Sequence, residues 1–446
     1  MTAPQRMQRP VAHLMREGRH NLPTSLSSFV GRERELADVQ ARLAGARLLT
    51  LTGVGGCGKT RLALEVARAV LDRYADGVWL VELAELANAA LVPQTVAAVF
   101  NLREMVGQPI TTALATILRG RSLLLVIDNC EHLIDGCAQL VDALLCACPE
   151  LRVLATSREA LGITGEIGWR VPSLPVPDPQ QLPPFSELQQ NPAVRLFVER
   201  AAAVQPQFGL TERNAAAVAQ VCQHLDGLPL ALELAAARIE ALTVDQLAAR
   251  LDQRFRLLTG GNRTALPRQQ TLHATLDWSY DLLSEPEPRL FNRLSVFAGG
   301  WTLEAAEAVC AGEGSEPEDV LDLLLRLVRK SLVIAEESGE GAARYRLLET
   351  LRQYAHERLM AAGETETVRR RHASYYLMLV DDGEPSMWEQ MWLRRWLTEL
   401  DNLRATMRWL NESNAVEDAV RLGGRLWPMW VRGACSQKDV PTCVPC

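Results

Sequence analysis

Eight consecutive residues constrain this chain more than any others: Gly53-Val-Gly-Gly-Cys-Gly-Lys59-Thr60. The run fits G-x-x-x-x-G-K-[ST] in full, and the spacing has a physical reason. Gly53, Gly55, Gly56 and Gly58 let backbone N–H groups turn inward around phosphate oxygens, and a following helix adds the positive end of its dipole. Lys59 reaches the β- and γ-phosphates as a point charge, and Thr60 offers a hydroxyl to Mg²⁺. The motif needs a strand before it and a helix after it. Arg47–Thr52 is a short apolar run, and from Lys59 onward Leu62, Val66 and Val70 fall on one helical face.

The apolar runs that follow complete the expected fold. Gly77–Leu83, Ser122–Ile127 and Leu151–Thr156 read as three more buried strands, separated by helical stretches. Strands alternating with helices predict an α/β domain with a parallel sheet covered on both faces. The third strand delivers Asp128 at its end, where a Walker-B carboxylate helps to hold Mg²⁺. Asn129 stands where many ATPases carry a second acid to polarise water, and Glu131 lies close by in sequence. Arg158 follows the fourth strand, at the edge of such a sheet that carries phosphate, and is a candidate to contact a γ-phosphate. The catalytic candidates are therefore Asp128, Glu131 and Arg158, with Thr60 and Asp128 as the candidate metal ligands.

At 446 residues the chain exceeds one ordinary core and predicts several domains. A formal net charge of -7 argues against broad, charge-driven binding to nucleic acid. No apolar run is long enough to span a bilayer, and the opening residues lack the apolar block of a secretory signal. Ten cysteines without framework spacing point to reduced thiols and a cytoplasmic location. Cys130, Cys137, Cys146 and Cys222 read as small hydrophobes in apolar or helical surroundings, while Cys443 and Cys446 stand alone without a second ligand pair.

Six segments follow from the pattern. Residues 1–21 form a frayed, mildly basic arm and 22–180 the nucleotide-binding domain. Seven prolines between Val171 and Pro192 mark a linker that excludes helix and central strand. Residues 181–265 form an alanine-rich helical domain, broken at Gly209 and at Gly227-Leu-Pro229. Residues 266–360 contain helices and then two β-type runs, Leu332–Ile334 and Arg344–Leu347, which is a winged-helix arrangement. Residues 361–432 are helical and tryptophan-rich, and 433–446 form an irregular tail.

The order of motifs resembles that of a known family. Phe29-Val-Gly31-Arg32-Glu33, the glycine-rich loop, LLLVIDNCEHL, ATSRE and Gly227-Leu-Pro-Leu-Ala231 occur in this order in STAND-class signalling NTPases. They most resemble bacterial regulators related to the NB-ARC module, including LuxR-type and SARP-type transcriptional regulators. The resemblance implies that Val30 and Arg32 line the adenine and ribose, that Pro229 closes over the adenine, and that Arg158 senses the γ-phosphate. It also implies that the strand before Arg158 lies between the glycine-rich-loop strand and the Asp128 strand. Leu347–Ala355 aligns with the family's Met-His-Asp motif, with Leu348 in place of the histidine and Glu349 in place of the aspartate. Trp396–Trp409 resembles the start of TPR-like repeats, and the single hairpin after it suggests a partial product.

Taken together, these readings predict an ATP- and ADP-binding switch that uses Mg²⁺, hydrolyses ATP slowly at most, and forms the regulatory core of a bacterial transcriptional regulator. A homo-oligomer in the ATP state and an unidentified protein or small-molecule signal are the expected partners. The alternative is a transcriptional regulator that binds DNA directly through its winged helix. Against it, Asp277, Glu304, Glu307, Asp319 and Asp322 intersperse that region, and no basic recognition helix stands out.

Overall fold

The computed structural model describes residues 19–24, 27–84, 86–102, 108–251, 272–312, 316–337, 343–381 and 396–433. It divides into two compact units, the first Met1–Leu282 with Arg329–Ser331, the second Leu283–Val328 with Leu332–Cys446.

The first unit is built on a five-stranded parallel sheet of β1 (Leu48–Thr52), β2 (Val78–Glu82), β3 (Leu124–Asp128), β4 (Arg152–Thr156) and β5 (Glu166–Arg170), in the order β2-β3-β4-β1-β5. The central strands are buried on both faces, as near-continuous Leu/Val/Ile runs require. Strand β4 lies between β1 and β3, as the resemblance implied. Helices α1 (Glu33–Gly45), α2 (Lys59–Ala69), α3 (Val92–Val99), α4 (Ile110–Leu118) and α5 (Ile134–Ala147) alternate with the strands. Leu62, Val66 and Val70 are all buried, so the face read from the sequence is the packed one.

Three features of this unit depart from the expectations. Strand β5 was not anticipated, because Glu-Ile-Gly-Trp-Arg has little apolar pattern; as an edge strand it is half-exposed and rests on its ladder with β1. The arm is ordered at Arg19–Asn21. Val78 N donates to Arg19 O (2.9 Å), and the Asn21 amide exchanges hydrogen bonds with Leu80 O (2.8 Å) and Leu80 N (2.6 Å). This covers the open edge of β2, which would otherwise present unpaired backbone groups. The remainder of the expected arm lies outside the described residues.

The proline-rich stretch is a strap rather than a free linker, and it contains helix α6 (Phe185–Gln190), entered after Pro184. Val171 N donates to Thr52 O (2.7 Å) and Leu174 N to Gly227 O (3.0 Å), with both side chains buried. Gly227 has φ +62°, and a Cβ there would lie 2.0 Å from Leu174 O, so the strap leaves room only for glycine.

Helices α7 (Pro192–Val204), α8 (Ala215–His224), α9 (Pro229–Ala236) and α10 (Val244–Ala248) follow. Asn191 caps α7 by accepting from Ala193 N and Val194 N, with Pro192 at the first helical position. The expected boundary at 265/266 falls outside the described residues. Helix α11 (Leu272–Asp281), expected to open the winged helix, belongs to the first unit, and so does Asp277. Among the cysteines, Cys130, Cys137 and Cys222 are buried, but Cys146 is exposed, on the outward side of α5. Burial raises the thiol pKa of Cys222. Cys443 and Cys446 lie outside the described residues.

The second unit begins with α12 (Glu287–Leu294), β6 (Gly300–Trp301), α13 (Leu303–Cys310) and α14 (Pro317–Arg329). A hairpin of β7 (Ile334–Glu337) and β8 (Ala343–Arg346) and then α15 (Glu349–Ala361) complete the winged-helix pattern. The three strands are antiparallel in the order β6-β8-β7, and the hairpin starts two residues later than the apolar run suggested. Leu348 is buried at the N-cap of α15. Helices α16 (Thr365–Asp381), α17 (Leu400–Glu412) and α18 (Val416–Gly433) form the helical segment. Asn402 ties it to the winged helix, accepting from Ala298 N (2.8 Å) and donating to Gly300 O (2.8 Å). Glu399, also buried, pairs with Arg344 of β8 and accepts from Tyr376 (3.0 Å).

Candidate functional site

The glycine-rich loop leaves β1 and enters α2 through Gly58, whose φ of +95° puts it in the left-handed region that glycine adopts without steric cost. Lys59 Nζ donates to the carbonyls of Gly53 (2.7 Å) and Val54 (3.1 Å), so the ammonium is held over the loop. At the end of β3, Asp128 is 3% exposed and each of its oxygens is engaged. Its Oδ1 accepts from Thr60 (2.7 Å) and Thr156 (2.5 Å), and its Oδ2 from the Asn129 amide (2.6 Å). Burial raises the Asp128 pKa above its ordinary value, while the two threonine hydrogen bonds pull it back. Asn129 also donates its N–H to Thr156 Oγ1 (3.0 Å) and has φ +64°, so the position where a second acid was considered orients Asp128 instead.

Thr60 and Asp128 supply one hydroxyl and one carboxylate side by side, Asp128 buried and Thr60 half-buried at the cavity wall. Such a donor set suits Mg²⁺, a hard cation that takes one or two carboxylates and completes its shell with waters and phosphate oxygens. Among the described residues no group of three or more His, Cys, Asp or Glu side chains could hold a metal without a ligand's help.

Arg158 and Glu131 face each other across the site, Nε to Oε1 at 3.4 Å, with only 8% and 6% of their side chains exposed. Ser331, which belongs to this unit, donates from Oγ to the Arg158 carbonyl (2.7 Å). Arg158 and Glu131 open on a cavity of about 370 Å³, within the range of ligand pockets. Val30, Arg32, Gly55, Gly56, Gly58, Lys59, Thr60, Glu131, Arg158 and Pro229 all border it. Gly53 and Asp128 do not. Gly53 acts through its carbonyl on Lys59, and Asp128 lies behind Thr60.

Arg32, expected at the adenine and ribose, reaches the cavity wall. Its guanidinium is nevertheless committed to backbone, donating to Cys57 O of the loop (2.8 Å) and Pro172 O of the strap (2.7 Å). Pro229 opens α9, with Leu230 N donating to Gly56 O (3.3 Å), which fixes the helical domain on the loop. Sequence reasoning missed Ser28, Leu196, Arg200 and Glu233, which line the same cavity. Arg200 bridges Glu233 (3.0 Å) and Ser28 O (2.9 Å), a tertiary arrangement with no local signature. It also missed Thr275 and Trp278 of α11.

Sheet order, glycine-rich loop and Walker-B strand define a P-loop NTPase domain, here followed by helices, a winged helix and a helical segment. Residues 283–360 match the family model described as "Winged helix-turn-helix domain". The chain is 41% identical over 357 residues to the uncharacterized protein Rv0894 of Mycobacterium tuberculosis, covering 80% of this chain and 87% of that protein. It belongs to one family with that protein, a family related to HTH-type and AfsR-type regulators. It is 46% identical over 394 residues to the "Putative HTH-type transcriptional regulator Rv0890c" of M. tuberculosis, spanning 88% of this chain but only 43% of that protein. The regulatory protein AfsR of Streptomyces coelicolor is 31% identical over 370 residues, 75% of this chain and 32% of its own length. Among solved structures, the Walker-type ATPase PABY2304 of Pyrococcus abyssi is 13% identical over 73% of this chain and 95% of that one, with a TM-score of 0.46. Among the described residues no helix is long and apolar enough to cross a membrane.

Arg32 gives a direct test of how the loop is held. Arg32→Ala leaves the buried Cys57 carbonyl and the partly exposed Pro172 carbonyl without their donor and should cost roughly 1–3 kcal/mol. Exposed Arg34→Ala should stay within about 0.5 kcal/mol. Urea unfolding of both variants checks this, and equal stabilities would refute the role given to Arg32.

Proposed function

We propose that this chain is an adenine-nucleotide-dependent switch, the regulatory core of a cytoplasmic bacterial transcriptional regulator that hydrolyses ATP slowly. The observation that carries the reading is the convergence of Lys59, Thr60, Arg158 and Pro229 on one cavity beside Asp128. Its parts come from the P-loop, from two strand ends and from the helical domain. A ligand bound there would touch several separate elements at once, and differential contact is what shifts a conformational equilibrium. In this reading Lys59 and the loop N–H groups hold the phosphates, and Thr60 and Asp128 hold Mg²⁺. Val30, Leu196 and Pro229 give the base an apolar seat. When bound, Mg²⁺ would neutralise charge on the terminal phosphates.

Slow hydrolysis follows from the acids present. Asn129 carries no basic group and gives its amide to Asp128, and the nearby Glu131 carboxylate is paired with Arg158 rather than set toward water. The proposed partners are a signal, protein or small molecule, and further copies of the chain.

A second reading, direct DNA binding, is favoured by the winged-helix match and by the naming of Rv0890c. The helix before the wing, α14, exposes Glu318, Asp319 and Asp322 beside Arg326 and Arg329, and Leu321 and Leu325 lie between them. That face is a poor match for a phosphate backbone. Selection from random duplexes at about 150 mM salt should therefore enrich no motif. A motif enriched by wild type and lost on replacing Arg326 and Arg329 would promote the second reading.

Lys59→Ala tests the switch. A ligand at one hundred times its Kd stabilises the native state by about 2.7 kcal/mol, and wild type should show the matching rise in Tm with MgATP. The variant should fold and lose that rise. A Lys59→Ala protein that keeps it would contradict the site assignment.

A further inference from the structure

Helix α11 is a wall of the nucleotide cavity that no sequence motif announces. Thr275, Trp278 and Ser279 fall at i, i+3 and i+4 and so share one helical face. Thr275 and Trp278 line the cavity. The packing of this face on the P-loop is close. A Cβ placed on Gly55 would lie 2.8 Å from Thr275 Cγ2, 3.4 Å from Ser279 Oγ and 3.5 Å from an Arg158 guanidinium nitrogen. Unlike Gly56 and Gly58, Gly55 is not among the glycines with positive φ. Glycine is needed there because α11 and Arg158 converge on that one backbone position.

The indole is fixed from its other side. Trp278 meets His132 edge-on, with ring centroids 5.4 Å apart, and His132 Nε2 is anchored 2.9 Å from Leu86 O. His132 directly follows Glu131, the partner of Arg158. Thr275, Trp278, Arg158 and Glu131 thus cluster at one part of the cavity. Ser28, Arg200 and Glu233 form a separate cluster in its wall. In the switch reading a third phosphate, beyond a diphosphate held by the P-loop, would face Arg158, and Thr275 of α11 approaches the same Gly55 position as Arg158 does.

We propose that Thr275 and Trp278 are nucleotide-contacting residues that read the terminal phosphate and set the preference of the site between a nucleoside triphosphate and a diphosphate. The proposal rests on the switch reading and deepens it. Leu282, immediately after α11, is the last residue of the first unit's main segment, and Leu283 opens the unit that contains the winged helix. A helix that touches the terminal phosphate is therefore continuous in the chain with that unit.

Calorimetric titration of the full chain with MgATP and with MgADP tests this. Trp278→Ala should change the ATP-to-ADP affinity ratio by about tenfold or more, while Trp278→Phe, which keeps a ring against His132, should hold it within about threefold. A folded Trp278→Ala with the wild-type ratio overturns the proposal and leaves the switch reading standing. Wild type that binds neither nucleotide removes the switch reading and this one with it. Should Trp278→Ala fail to fold, amide exchange on wild type decides. MgATP slowing exchange in α11 more than MgADP does supports the role, and equal protection by both overturns it.

Discussion

The site depends on one carboxylate. Asp128 Oδ1 receives hydrogen bonds from Thr60 at the start of α2 and from Thr156 at the end of β4, and Oδ2 receives one from Asn129. Three chain segments far apart in sequence are fixed against one another at that point. Buried charge is tolerated only when its acceptor sites are filled, and the donors here fill them. Since β4 lies between β1 and β3, the same contact sets where Arg158 emerges relative to the P-loop. Loss of the carboxylate would leave the Thr60 and Thr156 hydroxyls and the Asn129 amide without their acceptor, so position 128 serves both geometry and the proposed metal chemistry.

A second constraint is the strap from Val171 onward. It takes a hydrogen bond from Arg32 at Pro172, gives one to Thr52, and presses its Leu174 carbonyl onto Gly227. The Gly227-Leu-Pro-Leu motif therefore holds the helical domain to the sheet by two routes, the strap behind Gly227 and the P-loop in front of Leu230. In the proposed switch these are the contacts that nucleotide would bias, because the same few residues touch both the loop and the helical domain. The buried Arg158–Glu131 pair is a third such contact. Turning to a phosphate would exchange one anion for another at the guanidinium, so Arg158 would keep an anionic partner.

What the sequence made legible follows from range. The glycine-rich loop, its flanking strand and helix, and the Asp128 strand are local patterns, and each has a required residue at a fixed spacing. The order of the inner strands came from resemblance rather than periodicity, since parallel register leaves no mark on a single segment. Strand β5 escaped notice because an edge strand with Gly168 at its centre draws its order from β1 rather than from its own residues. Arg19–Asn21 escaped for the same reason at the opposite edge. Arg32 borders the cavity, and nothing in the sequence signalled that its guanidinium also spans from Cys57 to Pro172, a link made only in three dimensions. The least legible part was α11. Its apolar and polar positions read as the start of the next domain, and only the fold shows Thr275 against Gly55.

The central claim is that one adenine nucleotide occupies the cavity bordered by Lys59, Arg158 and Pro229. Equilibrium dialysis of the full chain against radiolabelled ATP and ADP with Mg²⁺ measures it directly. The account predicts saturable binding of a single nucleotide per chain, with either nucleotide displacing the other. Absence of saturable binding up to about 1 mM, where binding free energy falls to roughly -4.1 kcal/mol, would contradict it.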